Sequence, residues 1–310
     1  MGILKSKVEN DFLKTILVGG EYMAAKEKTK DSEGWTTIIK PRSGFFSLNI
    51  RELVHYRDLI GLFVKRDIAT VYKQTVLGPI WFVLQPIATT IIYTFVFGNL
   101  AKLSTDGIPR TLFYFCGTML WTYFQTTLLN TSDTFVQNSH LFGKVYFPRL
   151  AVPISKIFSN MVSLGIQVAA MMVFYIYYYS HGVSIRPTWG LLLFPVIILW
   201  LALLAAGFGM IISALTTKYR DLRQLINFGM HLWMYATPVV YPMSQLSTKW
   251  QLVMRLNPVS APIEYFRSIA FGVHLPEISF MIMSILATIV LFCIGLLLFH
   301  RNETTFVDVV

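Results

Sequence analysis

The sequence predicts an all-α polytopic membrane protein with about six transmembrane helices, and three observations predict it. Only 14% of the 310 residues are charged while 55% are hydrophobic, and mean hydropathy is +0.57; a soluble domain carries about 25% charge. The remaining charges leave long gaps. No Asp, Glu, Lys or Arg lies between Lys73 and Lys102, Arg110 and Asp133, Lys156 and Arg186, Arg186 and Lys218, Arg223 and Lys249, or Glu277 and Arg301. Each gap exceeds the ~20 apolar residues that a spanning helix needs. Finally, thirteen of the 26 Lys and Arg precede residue 76. The net charge of +10 is therefore better matched to an anionic membrane leaflet than to nucleic acid, and no nucleic-acid partner is expected.

Taken in order, residues 1–47 are polar and mixed in charge, broken by Gly34, Pro41 and Gly44, and read as a cytoplasmic tail. Lys5, Lys7, Glu9, Asp11 and Lys14 leave no apolar core there for a cleaved signal. Residues 48–75 place Leu53, Tyr56, Leu59, Ile60, Phe63, Ile68, Val71 and Tyr72 mostly at helical spacing, with charges between them. This is an amphipathic interface helix, its polar side keeping it from spanning. Its Arg57, Lys65, Arg66 and Lys73 sit where lipid phosphates lie, as an anchor or as receivers of a charged head group.

The transmembrane domain follows over residues 76–300. The first span runs from Val76 to Leu100 and carries Gly78, Pro79, Gln85 and Pro86. The second, Thr111 to Thr134, is rich in threonine and amide side chains, which bond neighbouring helices or face a wet path. A loop at 137–150 separates it from the third, Val152 to Tyr179, whose last turns carry Tyr175, Tyr177, Tyr178 and Tyr179, an interfacial aromatic belt. Pro148 stops any helix begun at Ser139, and Pro153 can open the next. A short amphipathic helix lying across two helix ends results, shaped as a docking knob or as an ordinary polar turn.

The fourth span, Trp189 to Leu215, contains Gly207 and Gly209 for close packing. The fifth runs from Leu225 to Tyr241 and the sixth from Phe280 to Phe299, before a tail at 301–310. Between the last two, residues 242–276 are apolar but interrupted by Lys249, Arg255, Glu264, Arg267, Pro258 and Pro262. Pieces at Trp250–Leu256 and Ile263–Phe271 are too short to span, so a pair of re-entrant half-helices is predicted. With an even span count both termini share a side. Eleven membrane-proximal Lys and Arg fall there against six opposite. The positive-inside rule thus makes the termini and the 137–150 loop cytoplasmic and turns the half-helices outward.

The missing chemistry is also informative. No G-x-x-x-x-G-K-[ST], G-x-S-x-G or H-E-x-x-H occurs, so neither a catalytic set nor nucleotide binding by this chain is expected. Cys116 and Cys293 fall inside spans without a C-x-x-C partner, and the six His show no ligand spacing, so no metal site is expected. Charged residues inside the spans are nearly missing, with His231 alone within one, which disfavours a carrier driven by an ion gradient. Energy for any transport would arrive through the cytoplasmic loops.

The string Ser139-His140-Leu141-Phe142-Gly143-Lys144-Val145-Tyr146-Phe147-Pro148-Arg149 follows two spans, and four spans and a broken outer segment come after it. With Lys218-Tyr219-Arg220-Asp221, Thr237-Pro238-Val239-Val240-Tyr241-Pro242 and Leu256-Asn257-Pro258-Val259, it resembles the membrane subunits of bacterial ABC-2 type polysaccharide exporters. These include O-antigen, capsule and teichoic-acid permeases, and the resemblance runs from about Leu48 to Phe299. It implies a homodimer in the bacterial cytoplasmic (inner) membrane, joined to two copies of a separate ABC ATPase that binds the ATP and Mg. It further implies an undecaprenyl-diphosphate-linked glycan as substrate. Ser139, His140, Leu141, Phe142, Lys144, Val145, Tyr146, Phe147 and Arg149 would couple to the ATPase. Pro242, Asn257, Pro258, Glu264 and Arg267 would belong to an outer gate. Independently of the resemblance, Trp121, Tyr123, Gln125, Asn130, Trp233 and Tyr235 combine aromatic faces with amides, a pairing that suits a glycan on a translocation path or, as readily, core packing. Two alternatives share parts of this pattern: export of a drug or other small amphiphile by the same architecture, and a membrane enzyme of glycolipid assembly.

Overall fold

A computed structural model describes residues 50–73, 80–142, 147–183, 188–216 and 221–306. The expected tail at 1–47, and Lys144, Val145, Tyr146, Lys218, Tyr219 and Arg220, lie outside them; Lys73, Ser139 and His140 are described in backbone only. The chain divides after His55 into two units. Of the first, the described part is one short helix, α1 (Ile50–His55).

The second unit is a helical bundle, and it opens with α2 (Arg57–Lys73), the main part of the expected interface helix. Phe63 is fully buried while Arg57 and Asp58 stay in solvent, the amphipathic division the spacing predicted. The first span is α3 (Trp81–Tyr93), which carries Pro86 and passes into a π-helical stretch, Thr94–Leu100. Proline removes one backbone donor and crowds the carbonyl four residues earlier, and a neighbouring helix makes that tolerable in a membrane.

The bundle is built around α4 (Arg110–Ser132). It packs on α3, on α6 (Ala151–Ser180), on α7 (Phe194–Thr216, entered through a 3₁₀ turn at Trp189–Leu193) and on α10 (Ser260–Phe271). Leu112, Phe115, Leu120, Phe124 and Leu128 have no exposed surface. Among the described residues, four helical segments are long and apolar enough to cross a membrane: 81–100, 151–180, 189–216 and 278–302. α4 has the length, about 35 Å for 23 residues, but its threonines and amides keep it less apolar. Being enclosed by neighbours, it does not have to face lipid. The fifth predicted span is α8 (Leu222–Tyr235), 14 residues or about 21 Å. It stops six residues before the predicted Tyr241 because Pro238 disfavours helical backbone at Thr237. The sixth, α11 (Ile278–Phe306), outruns its predicted end at Phe299, so residues 301–306 of the expected tail are helical. Asn302 reaches across to the Ala214 carbonyl at 2.5 Å and fixes that extension.

α7 and α11 pack backbone against backbone. A Cβ on Gly207 would stand 2.9 Å from the Phe292 backbone, and one on Gly295 would stand 2.5 Å from the Gly207 carbonyl oxygen. Two facing glycines let the backbones touch, the small-residue packing that replaces hydrophobic pressure inside a membrane. Outward, Val173, Ile176, Tyr177 and Tyr179 on α6 and Ile289 and Val290 on α11 are exposed, an apolar exterior matched to lipid. Of the predicted belt, Tyr175 and Tyr178 pack inward on the core, the Tyr178 hydroxyl lying 3.1 Å from that of Thr111.

Candidate functional site

Three places carry the residues singled out by the sequence. The first is the face formed by α2, α5 (Thr134–Phe142) and the chain at 147–156. Only Asp133 separates α4 from α5, and the helix starts at Thr134 rather than Ser139. Thr134 Oγ1 donates to the Thr131 carbonyl and Gln137 Nε2 to the Asp133 carboxylate, which supports that early start. Asn138 has φ −114°, ψ 15°, a kink inside α5. Aromatic contacts hold the element in place: Phe135 stacks on Phe299 at 4.6 Å, and Phe147 meets Phe142 and Phe63, each at 5.6 Å. The Arg149 guanidinium lies 5.4 Å over the Phe142 ring. Of the expected coupling residues, Leu141 and Phe147 are buried, so they anchor the element rather than form its outer surface.

Two ion pairs join this face to the bundle. Arg223, at the start of α8, donates to Asp133 at 2.6 Å. Lys156, at the start of α6, donates to Asp67 of α2 at 2.7 Å, and Arg66 donates to the same carboxylate at 2.9 Å. Arg66 is therefore engaged inward, whereas Arg57 and Lys65 remain exposed. Asp67, Lys156, Asp133 and Arg223 were not singled out as a set by the sequence. A signal was available for three of them: Asp133, Lys156 and Arg223 each flank a charge-free gap, whereas Asp67 does not.

The second place is the polar interior of α4. Trp121 and Trp233 do not share an open path here. They meet edge to face at 6.1 Å, and Phe124 and Phe208 close on Trp233 at 5.4 and 5.1 Å. Trp121 Nε1 donates to Gln125, and Trp233 Nε1 to Asn257, each at 3.2 Å. Tyr235 is exposed on α8, away from that cluster's buried core. Tyr123 and Asn130 instead line a half-open cleft of about 590 Å³ between α2, α3, α4 and α6. There Asn130 donates to Asn160, which donates to Thr127, both at 3.2 Å. Asn160, Ser163 and Gln167 on α6 were missed by sequence reasoning, although they follow Lys156 at intervals of four, three and four. That spacing places them on one helix face.

The third place is the segment between the last two predicted spans, where the two predicted half-helices are α9 (Thr248–Leu256) and α10. At nine and twelve residues neither can span. Arg267 is almost wholly buried and donates to the Pro238 and Val239 carbonyls at 2.6 and 2.5 Å and to Glu264 at 3.2 Å, with its guanidinium 3.8 Å over Phe113. Gly117 makes room for it: a Cβ there would stand 2.7 Å from the Val239 oxygen. Asn257 donates to the Ala236 carbonyl and the Thr237 hydroxyl, tying the α9–α10 turn to the end of α8. Pro242 is buried, and the Pro258 carbonyl accepts from Ser284 at 2.6 Å. Thr188 donates twice to the Ile269 carbonyl. α10 is thus held on all sides, while α9 leaves Trp250, Leu252 and Leu256 exposed and is fastened at its end by Arg255 to Glu277 at 2.8 Å. That guanidinium, hydrogen-bonded to the Glu277 carboxyl, holds it below the usual carboxylate range.

Residues 58–271, from α2 through α10, match the ABC-2 type transporter family. The chain belongs to that family. Three similar proteins are named O-antigen export system permease protein RfbA. The one from Myxococcus xanthus is 27% identical over 230 residues, 74% of this chain and 86% of that protein. One from Klebsiella pneumoniae is 26% identical over 255 residues, 81% of this chain and 95% of that protein. A second Klebsiella pneumoniae protein of the same name is 24% identical over 253 residues. As an ABC-2 type transporter the chain is a multi-pass membrane protein and a transport subunit. The α5 face, the polar interior and the α10 anchor all fall within the matched residues.

Proposed function

We propose that this chain is the permease subunit of an ATP-driven exporter that moves a lipid-linked polysaccharide of the O-antigen class across the bacterial cytoplasmic membrane. The observation that carries the reading is the α5 element. It is a short helix between two long ones, stapled to α2 by Phe63, Phe142 and Phe147 and ion-paired through Asp133 to α8. A push on α5 from a soluble partner would therefore be passed to α2 and α8 as one body. The partner is a separate ABC ATPase present in two copies, which would bind the ATP and Mg. Ser139, His140, Lys144, Val145 and Tyr146 would touch it, with Leu141, Phe142, Phe147 and Arg149 supporting them. Both termini and this element face the cytoplasm, and α9 and α10 face outward.

A homodimer is supported by α8. It exposes Gln224, Asn227 and His231 at helical spacing beside Phe228, Leu232 and Tyr235. Amides and an imidazole turned toward hydrocarbon are unfavourable, so a second copy and the path between the copies would lie on this face. The relatives named as O-antigen permeases support the polysaccharide as substrate, and an undecaprenyl diphosphate would be its carrier. Purification of the tagged chain from native membranes, followed by mass analysis, tests the assembly. A stoichiometric P-loop ATPase is expected, and Phe147→Ala or Arg149→Ala should weaken export while that ATPase stays bound. Export sustained by the purified chain without any ATPase would refute the reading.

A further inference from the structure

The half-open cleft between α2, α3, α4 and α6 is chemically divided along its length. At one end stand Arg66 and Lys156 with a single carboxylate, Asp67, between them, which leaves one positive charge uncompensated. Lys156 spends one of its three donors on that carboxylate. Neutral polar groups line the middle: Thr122, Thr126 and Asn130 from α4 face Asn160, Ser163 and Gln167 from α6. Gln167 is 3% exposed, and its Oε1 accepts no hydrogen bond, an orphan acceptor that is unfavourable unless a ligand satisfies it. Trp81, Pro86 and Val162 supply apolar wall, and Trp81 itself is half exposed at the bundle surface.

We infer that the cleft binds the head group of a phosphate-bearing, polyhydroxylated lipid. The phosphate meets Lys156 and Arg66, the hydroxyls donate to Gln167 Oε1 and exchange hydrogen bonds with the Asn130–Asn160 pair, and the chain leaves past Trp81 and Pro86 into the bilayer. Charge-assisted bonds to the phosphate are the strong contacts and the neutral amides read the hydroxyls. Two sources share this chemistry, a membrane phospholipid with a polyol head and a polyprenyl-phosphate-linked sugar. The second deepens the export reading, but the site itself does not require it.

The test is native mass spectrometry of the detergent-purified chain against three probes: phosphatidylglycerol, a polyprenyl-phosphate monosaccharide, and a neutral galactosyl diacylglycerol. One or both phosphate lipids should bind at least about tenfold more tightly than the neutral one, and whichever binds more tightly identifies the source. Gln167→Leu should weaken that binding about three- to tenfold while leaving the unfolding temperature unchanged or raised, since it removes an unmet buried acceptor. Lys156→Gln should abolish the preference for phosphate. Equal binding of the neutral lipid, or binding untouched by both variants, overturns the inference. The ATPase purification reads the export proposal independently, so either can fail alone.

Discussion

Arg267 shows how far a residue's partners can lie from its neighbours in sequence. In the sequence it is a charge in an apolar segment, one that the resemblance assigns to an outer gate. In the structure it is a bolt, joining α10 to the Pro238–Val239 turn and to Phe113 of α4. Its carbonyl partners lie 28 and 29 residues away, which no local spacing reveals. Removing it would leave Glu264 nearly buried without its cation, a loss of about 3–5 kcal/mol. Arg267→Ala should therefore lower the unfolding temperature in detergent sharply, and an unchanged transition would contradict this role. Asp133 and Arg223 behave differently. The arginine side chain is about half exposed, so the pair adds at most about 1 kcal/mol of stability. Asp133→Asn should leave unfolding nearly unchanged but reduce export, and the charge-swapped pair Asp133→Arg with Arg223→Asp should recover part of it. Equal export by Asp133→Asn and the native chain would remove the pair from the coupling route.

Among the elements, the α7–α11 contact depends on absent side chains. Gly207→Val would drive a branched side chain into the Phe292 backbone, an overpacking loss of about 1–3 kcal/mol or more, visible as reduced folded yield and a lower unfolding temperature. α9 is the half-helix with freedom to move, and Arg255–Glu277 is its fastening. Because the Glu277 carboxyl is held low by Arg255, the tie contributes fully above the ordinary carboxylate range. It is lost as pH falls through the lowered folded value. A spin label at position 252 should thus gain mobility only at acidic pH, and Glu277→Gln should show that mobility at neutral pH; a pH-independent label in both proteins would contradict it. Elements were largely legible in the sequence because charge-free gaps mark where helices cross hydrocarbon. Helix α6 begins and ends within one residue of its predicted bounds, and the fourth predicted span is met at its start by the 3₁₀ turn at Trp189 and at its end, within one residue, by α7. What was less legible were ends set by partners: α8 stopped by Pro238 and Asn257, and α11 prolonged by Asn302 onto Ala214. The path aromatics were not legible either, since whether Trp121 and Trp233 face a channel or one another depends on how α4, α7 and α8 pack.

For the whole molecule, the bundle is asymmetric in what it leaves uncovered. α4 is enclosed, α6 and α11 present apolar side chains to lipid, and α8 presents amides and an imidazole. That last face is where a second copy would complete the transporter. Cysteines introduced singly at Asn227 or His231 should crosslink between copies in membranes, whereas one at Ile289, on the lipid side of α11, should not. Export of a lipid-linked polysaccharide is tested most directly by deletion of the gene in its own bacterium. Surface polysaccharide should disappear while lipid-linked glycan accumulates on the cytoplasmic side, and restoring the chain should reverse both. Unaltered surface glycan with new sensitivity to a small drug would contradict the account.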